Sequence, residues 1–466
     1  MATPLPDLGV GVVYIPGIDA LLADDGLPID VIEVEPQTLW RRRGERYVPD
    51  DEIIGHVSAL PQRKLVHGVG CPVGGSVGHE EQQVALFADA IRTFGAPWAS
   101  EHLSFNRAFG DDGVPFNAGF LLPPLQTRAG ATAAAVMARS LASRLPVPFA
   151  VETGVNYLRP RLGELSDGAF VAAVADGADC GILLDLHNLW ANERNGRQPV
   201  REFLDEIPLD RVWEVHVAGG FEYAGYWLDA HSGVMPEALL ELAAEVVPKL
   251  PNVHAIIFEM VPQALSRTDV AMLRRQVETL RTIWTTRATR VEPRQAKPKA
   301  TPPIDNVSPR DWQDTLGALA VGREVTGPLA DALSSDPAVP VFQKLVWQVR
   351  AGMIVDNFPF ASRLLMLSRG EEFLRGLFND FFARVPPEFF GSTESDAFAD
   401  YLRGQQIDEP YLDDVLAYEH AAMHVQLDGG TQVIHTRHDP NELVAALSEG
   451  QIPSGVEEDD FEIVVS

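Results

Sequence analysis

"GILLDLHNLWANERNGR" (residues 181–197) opens as an apolar run and then breaks into Asp185, His187, Asn188, Asn192 and Asn195. An apolar run this continuous suits a strand of a parallel sheet, which is covered on both faces. In a parallel barrel the C-terminal ends of the strands open on one face, so polar groups far apart in sequence converge there. The stretch therefore has two parts: "GILLD" is wall, and "DLHN" is where the wall meets a site.

The same pattern extends in both directions. Eight apolar, β-branched runs can be counted: "GVGVVYI" (9–15), "IDVIEVEP" (29–36), "KLVHGVG" (64–70), "WASEHLSF" (98–105), "FAVETGV" (149–155), "GILLDLHN" (181–188), "VWEVHVAG" (212–219) and "AIIFEMV" (255–261). Helical faces separate them, such as Val84, Phe87, Ile91 and Phe94, or Leu273, Val277, Leu280 and Trp284. Eight β/α units in about 280 residues predict an α/β fold, a (β/α)8 TIM barrel over residues 1–285. A doubly wound open sheet would give similar runs, since counting strands does not show closure, but the number and size favour the barrel.

Residues 286–306, within "TTRATRVEPRQAKPKATPPIDN", are rich in Pro, Lys and Arg without apolar period and read as a linker. Residues 307–466 then form a smaller, mainly α-helical C-terminal domain holding 11 of the 22 Phe. "TQVIHTR" (431–437) could be a strand, "PNELVAALSEG" (440–450) a short helix, and the acidic end "GVEEDDFEIVVS" is expected to be mobile.

Composition narrows the classes. The chain has 466 residues, 46% hydrophobic and 22% charged, and no apolar run near the ~18 residues a membrane span needs. It begins without the basic start and apolar stretch of a secretory signal, so a cytoplasmic location and no membrane partner are expected. The net charge of −29 argues against a nucleic-acid partner, because it repels a phosphate backbone. Cys71 and Cys180 are too few for a thiolate cluster and read as small buried residues.

The strand ends supply another donor set. They carry His67, Glu101, His102, Glu152, Asp185, Asn188, His216 and Glu259, and the loop after the seventh strand adds Asp229 and His231. A single histidine there is usually a hydrogen-bonded core residue, and a single carboxylate is often a helix N-cap. Six consecutive ends bearing His, Glu or Asp above apolar strands are costly to bury without a cation. Imidazole and carboxylate donors without thiolate suit Zn, Mn or Fe, and there are too many for one ion. Parity turns neighbours to opposite faces, which favours His102 over Glu101. Glu33 and Glu35 share a parity and suit contacting or orienting roles, and His187 is open. His56, His79 and His254 read as structural or surface residues. "VGGSVG" (73–78) lacks the lysine of a phosphate loop and suggests flexibility near the site. Tyr157, Asn192 and Glu222 are close enough in sequence to reach a substrate.

With "VHGVG", "SEHLSF", "VETGVNYL", "LLDLHNLWANERNG", "EVHVAG", "LDAHSG" and "IFEM" in hand, residues 7–285 resemble the multinuclear non-haem iron-dependent oxidative enzymes, which include the methanobactin-type peptide-modifying oxidases. The resemblance implies His67, His102, Glu152, Asp185, Asn188, His216, Asp229, His231 and Glu259 as metal ligands. Of these, Glu152 would bridge two irons, and Glu152, Asp185 and His216 would be central to catalysis. It implies two or three iron ions in a mixed-valent Fe(II)/Fe(III) state, with O2 as co-substrate. The substrate implied is a ribosomally synthesised precursor peptide, modified at Cys, or at Asp or Asn. Three positions depart from the family pattern: "VETG" replaces Glu-Asn, His187 replaces an Asn, and Gly220 stands where His is frequent. In residues 307–466, "VFQKLVWQVRAGMIVDNFPF", "EEFLRGLFNDFFARVPP" and "YLDDVLAYEHA" resemble the DNA-binding or partner domain that accompanies such oxidases, and the resemblance implies that this region captures the peptide leader. Two other readings stay open at this point: a divalent-metal barrel isomerase or hydrolase, and a non-catalytic peptide- or protein-binding adaptor. The oligomeric state is not legible.

Overall fold

Each of the eight apolar runs forms a strand in the computed structural model of the chain, which describes residues 4–22, 29–44, 46–110, 112–265, 267–287 and 306–466. They are β1 (Gly9–Val13), β2 (Val31–Val34), β3 (Arg63–Gly68), β4 (Ala99–His102), β5 (Phe149–Glu152), β6 (Gly181–Asp185), β7 (Val212–Ala218) and β8 (Ala255–Glu259). All neighbours pair in parallel, and β1 closes on β8, so the sheet is a barrel rather than an open doubly wound sheet. The outer helices include α1 (Asp51–Ala59), α2 (Glu81–Phe94), α3 (Arg128–Ala142), α4 (Asp167–Ala178), α5 (Leu186–Arg194), α6 (Glu237–Val246) and α7 (Val270–Thr285).

Local chemistry accounts for their limits. α2 buries Val84, Phe87 and Ile91 and ends at Gly95, whose φ of +64° suits a residue without Cβ. α5 starts at Asp185, whose side chain accepts from the Asn188 backbone N–H. The helix faces pack on the strands in one continuous core, which includes both free cysteines.

Most of the linker, 288–305, lies outside the described residues. Beyond it come α8 (Pro309–Ala320), α9 (Pro328–Ser334), α10 (Val339–Asn357), α11 (Pro359–Arg369), α12 (Glu371–Arg384), α13 (Gly391–Gly404), α14 (Leu412–Asp428) and α15 (Pro440–Ser448). A second core, built on Phe358, Phe378, Phe381 and Phe398, begins near Ala351. The earlier helices share a different core. Trp312, Leu316 and Phe342 pack with Phe105, Leu122 and Tyr157 of the barrel's loops, and the Trp312 indole donates to the Pro123 carbonyl (3.0 Å). Helices α8 and α10 thus dock on the hairpin 105–109/115–122 above β4.

Two expectations need correction. The acidic end is ordered: β10 (Phe461–Val465) pairs antiparallel with β9 (Gln432–Thr436), because "FEIVV" alternates like a strand. The "VGGSVG" loop is tied down, since Gln313 of α8 accepts from the Ser76 backbone (2.6 Å) and hydroxyl (2.8 Å). Among the described residues no helix is long and apolar enough to cross a membrane.

Candidate metal centre

Register brings the donors together. His102 on β4 lies beside Glu152 on β5, and Asp185 on β6 beside His216 on β7. Glu152 Oε2 is 3.2 Å from His67 Nε2 and 3.0 Å from His102 Nε2. The far nitrogen of each ring is engaged elsewhere. His67 Nδ1 meets the Ser100 hydroxyl (2.9 Å), and His102 Nδ1 meets the Gly68 carbonyl (3.0 Å). A carbonyl only accepts, so His102 carries a proton on Nδ1 in that bond and turns Nε2 to the mouth. Glu101 faces away and accepts from the backbone N–H groups of Cys71 and His102, as parity required.

Glu152 also belongs to a second group with Asp185, His216 and Glu259, whose donor atoms lie within 4.8 Å of one another. Asp185 has two roles. One oxygen caps α5 by accepting from Asn188 N–H (2.7 Å), and the other has no hydrogen-bond partner. His216 Nδ1 is 3.1 Å from Glu259 Oε1, while its Nε2 faces Glu33 Oε1 (3.0 Å) and Glu214 Oε1 (3.6 Å) deeper in the barrel. The Asn188 amide donates to the Thr153 carbonyl and leaves Oδ1 without a partner.

At the rim, His231 Nε2 approaches Asp229 Oδ1 (3.0 Å) and Glu259 Oε2 (3.5 Å). His231 adopts φ +44°, a left-handed conformation costly for a residue with a Cβ. The backbone N–H of Asp229 donates to the Tyr157 hydroxyl (3.0 Å).

Burial makes this cluster electrostatically awkward by itself. It pushes His67 down to about 3, and together with Asp229 and Glu259 pushes Asp185 up to about 7. Burial alone would also lower His102, but Glu152 and Glu101 outweigh it and raise the ring to about 10. Buried polar atoms are nearly always paired. Here His67 Nε2, Glu152 Oε2, Asp185 Oδ2, Asn188 Oδ1, His216 Nδ1 and Glu259 Oε2 all lack a hydrogen-bond partner and gather at one mouth. The donor set fits first-row metal ions, and a carboxylate common to two groups fits a bridge.

The nine residues proposed from sequence therefore all reach the mouth or its rim. Glu33 is buried below the cluster against His216, and Glu35 lines the cavity. His254 pairs with Asp7, His56 with Asp19, and His79 with the Pro72 carbonyl, away from the mouth. Asn192 lines the cavity, whereas Tyr157 is buried behind Asp229. Glu222 is exposed beside Arg194 and does not line the cavity, whereas its hairpin neighbours Phe221 and Leu228 do. Sequence reading missed Glu214, which takes the Trp98 indole N–H (2.9 Å) and faces His216. Its signal was present, since "EVH" puts Glu214 and His216 on one face of β7. Ser100, Thr153 and Trp227 carried no such signal, because their roles depend on contacts between strands.

The cluster opens into a cavity of about 520 Å³. Its floor includes His102, Asp229 and Glu259, and its far wall is Leu345, Gln348 and Met353 of α10. The C-terminal region thus helps form the pocket over the barrel.

A closed parallel barrel with thiolate-free imidazole and carboxylate donors at its C-terminal mouth defines a TIM-barrel protein with a candidate metal centre. The chain belongs to the family described as RiPP precursor modification enzyme MbnB/TglH/ChrH, which matches residues 9–281. A Neisseria meningitidis serogroup C protein named UPF0276 protein is 30% identical over 238 residues, covering 50% of this chain and 81% of that one. A Streptomyces avermitilis protein of the same name is 29% identical over 248 residues, covering 52% of this chain and 47% of that one, so the match spans about half of that relative. Among solved structures, a xylose isomerase domain containing protein from Salmonella typhimurium LT2 aligns at 15% identity and TM-score 0.41, covering 61% of this chain and all of that one.

Proposed function

We propose that this chain is an O2-dependent, multinuclear non-haem iron enzyme that oxidatively modifies a residue of a ribosomally synthesised precursor peptide, at Cys or at Asp or Asn. The observation that carries this reading is the set of unpartnered donor atoms at the mouth, on residues of a barrel whose family modifies such precursors. His67, His102 and Glu152 would hold one ion, and Glu152, Asp185, His216 and Glu259 a second, with Asn188, Asp229 and His231 completing the set. Bound iron would supply the redox chemistry and the activation of dioxygen.

The chain's own residues do the rest. Ser100 and Gly68 orient two imidazoles, and the N-cap bond to Asn188 holds one oxygen of Asp185 so that the other faces the mouth. The cavity, at about 520 Å³, has room for one side chain of a peptide. α10 forms its far wall, so a peptide in the cavity would contact the C-terminal region. That placement supports leader binding by the C-terminal region, which raises the local concentration of the tethered core residue.

The test is metal content of protein purified without oxygen, with Mössbauer spectra of iron-57 material and oxygen uptake on adding a candidate peptide. Two or more irons per chain with coupled ferrous and ferric signals, and uptake that needs peptide, support the proposal. Zinc or manganese alone, without iron uptake on reconstitution, would replace it with a divalent-metal isomerase or hydrolase.

A further inference from the structure

α14 carries the sequence "YEHAAMHVQLD" (418–428), which puts His420 and His424 one turn apart on the same face. That face meets α13. His420 Nε2 lies 2.9 Å, and His424 Nε2 2.8 Å, from the same oxygen, Oδ1 of Asp396. All three side chains are partly exposed, at 26%, 27% and 37%, so ions and water can reach them. The cluster belongs to the C-terminal region's own helices and shares no residue with the barrel mouth.

We infer that Asp396, His420 and His424 form a second divalent-cation site of the zinc type, which clamps α13 to α14. Two neutral imidazoles and one carboxylate on facing helices are a standard ligand combination for this ion, with water completing the shell. Ligand bonds of about 2.0–2.2 Å place tetrahedral donor atoms about 3.3 Å apart, so the three side chains open by roughly half an ångström to admit an ion. Their exposure permits that.

The surroundings favour the required tautomer at His424. Asp428, one turn further on, has Oδ2 3.9 Å from His424 Nδ1 and attracts a proton to that nitrogen, which leaves Nε2 free to bind metal. At His420 the neighbour is Arg403, 3.4 Å from Nδ1. Arg403 also pairs with Asp400 (2.9 Å) and can release the ring when Nδ1 takes the proton. Asp428 in turn is ion-paired with Arg43 of the barrel hairpin 40–43/46–49 (2.5 Å). The role assigned is structural and independent of the chemistry at the mouth.

The experiment is histidine labelling of the full wild-type chain with diethyl pyrocarbonate, read by peptide mass spectrometry, with and without Zn2+. Labelling of His420 and His424 is expected to slow about tenfold when Zn2+ reaches ten times its dissociation constant, while exposed His435 is unaffected. Unchanged labelling of His420 and His424 at every Zn2+ concentration would overturn the inference. As a second readout, Zn2+ should raise the unfolding temperature of the C-terminal region in wild-type protein and not in Asp396→Asn. An equal rise in both would also overturn it.

Discussion

The Trp227 indole N–H donates to His187 Nε2 at 2.9 Å, and this contact sets the protonation of the ring. An acceptor at Nε2 leaves the proton on Nδ1, which donates to Asp229 Oδ1 at 3.0 Å. His187 is therefore a positioning residue for Asp229, a role its place in "DLHN" left open. Losing such an orienting partner typically costs 10–100-fold in metal affinity. Trp227→Phe should lower affinity for the most weakly held ion by about tenfold with the barrel's circular dichroism unchanged. Equal metal occupancy in wild type and variant would dismiss this role.

Metal removal should destabilise the whole barrel, because it leaves the unpartnered atoms of His67, Glu152, Asp185, His216 and Glu259 buried without a cation. An ion present at 1,000 times its dissociation constant stabilises by about 4 kcal/mol. Calorimetry of chelated and of iron-reconstituted protein checks this, with a clear fall and recovery of the unfolding temperature expected.

Glu152 is common to two donor groups, so Glu152→Gln should disturb both. The amide keeps the volume and removes the second anionic oxygen a bridge needs. Metal analysis should show at least one ion lost per chain, whereas Glu101→Gln, whose side chain faces Cys71, should keep the ion count.

Gly220 has no room for a side chain. A Cβ there would lie 2.3 Å from the Leu228 carbonyl oxygen and 2.7 Å from His187 Nε2. Gly220→Ala should cost about 1–3 kcal/mol and release the 220–229 hairpin that carries Asp229. Thermal unfolding and proteolysis of that hairpin report the two effects.

Glu419 gives the C-terminal region a pH response. Burial pushes its carboxyl up to about 7, against the backbone N–H groups of Phe360 and Ala361 that donate to it. A raised folded-state value means the stabilisation is full below the unfolded value near 4.5 and is lost as pH rises through about 7. Across that window wild type should lose about 3 kcal/mol more than Glu419→Gln. Denaturation of both proteins at several pH values tests the sign and the size.

Much of the fold was legible because parallel strands leave unbroken apolar runs such as "GILLD" and "AIIFE", each closing on a polar end. The gathering of His67, His102, Glu152, Asp185, His216 and Glu259 was legible for the same reason, since the C-terminal strand ends of a parallel barrel open on one mouth. Less legible were Gln313 on Ser76, α10 over the mouth, and the pairing of "FEIVV" with "QVIHT". These contacts join segments tens to hundreds of residues apart, and nothing local in either partner encodes them.

The sequence by itself determined the eight wall segments, their polar ends and the absence of thiolate donors, because side-chain alternation and burial are local consequences of residue type. Only the tertiary structure decided that the sheet closes, which oxygen of Asp185 caps a helix and which faces the mouth, and which ring nitrogen of His187 bears the proton. Those outcomes depend on distances of about 3 Å between residues on different elements, and such distances exist only once the chain has packed.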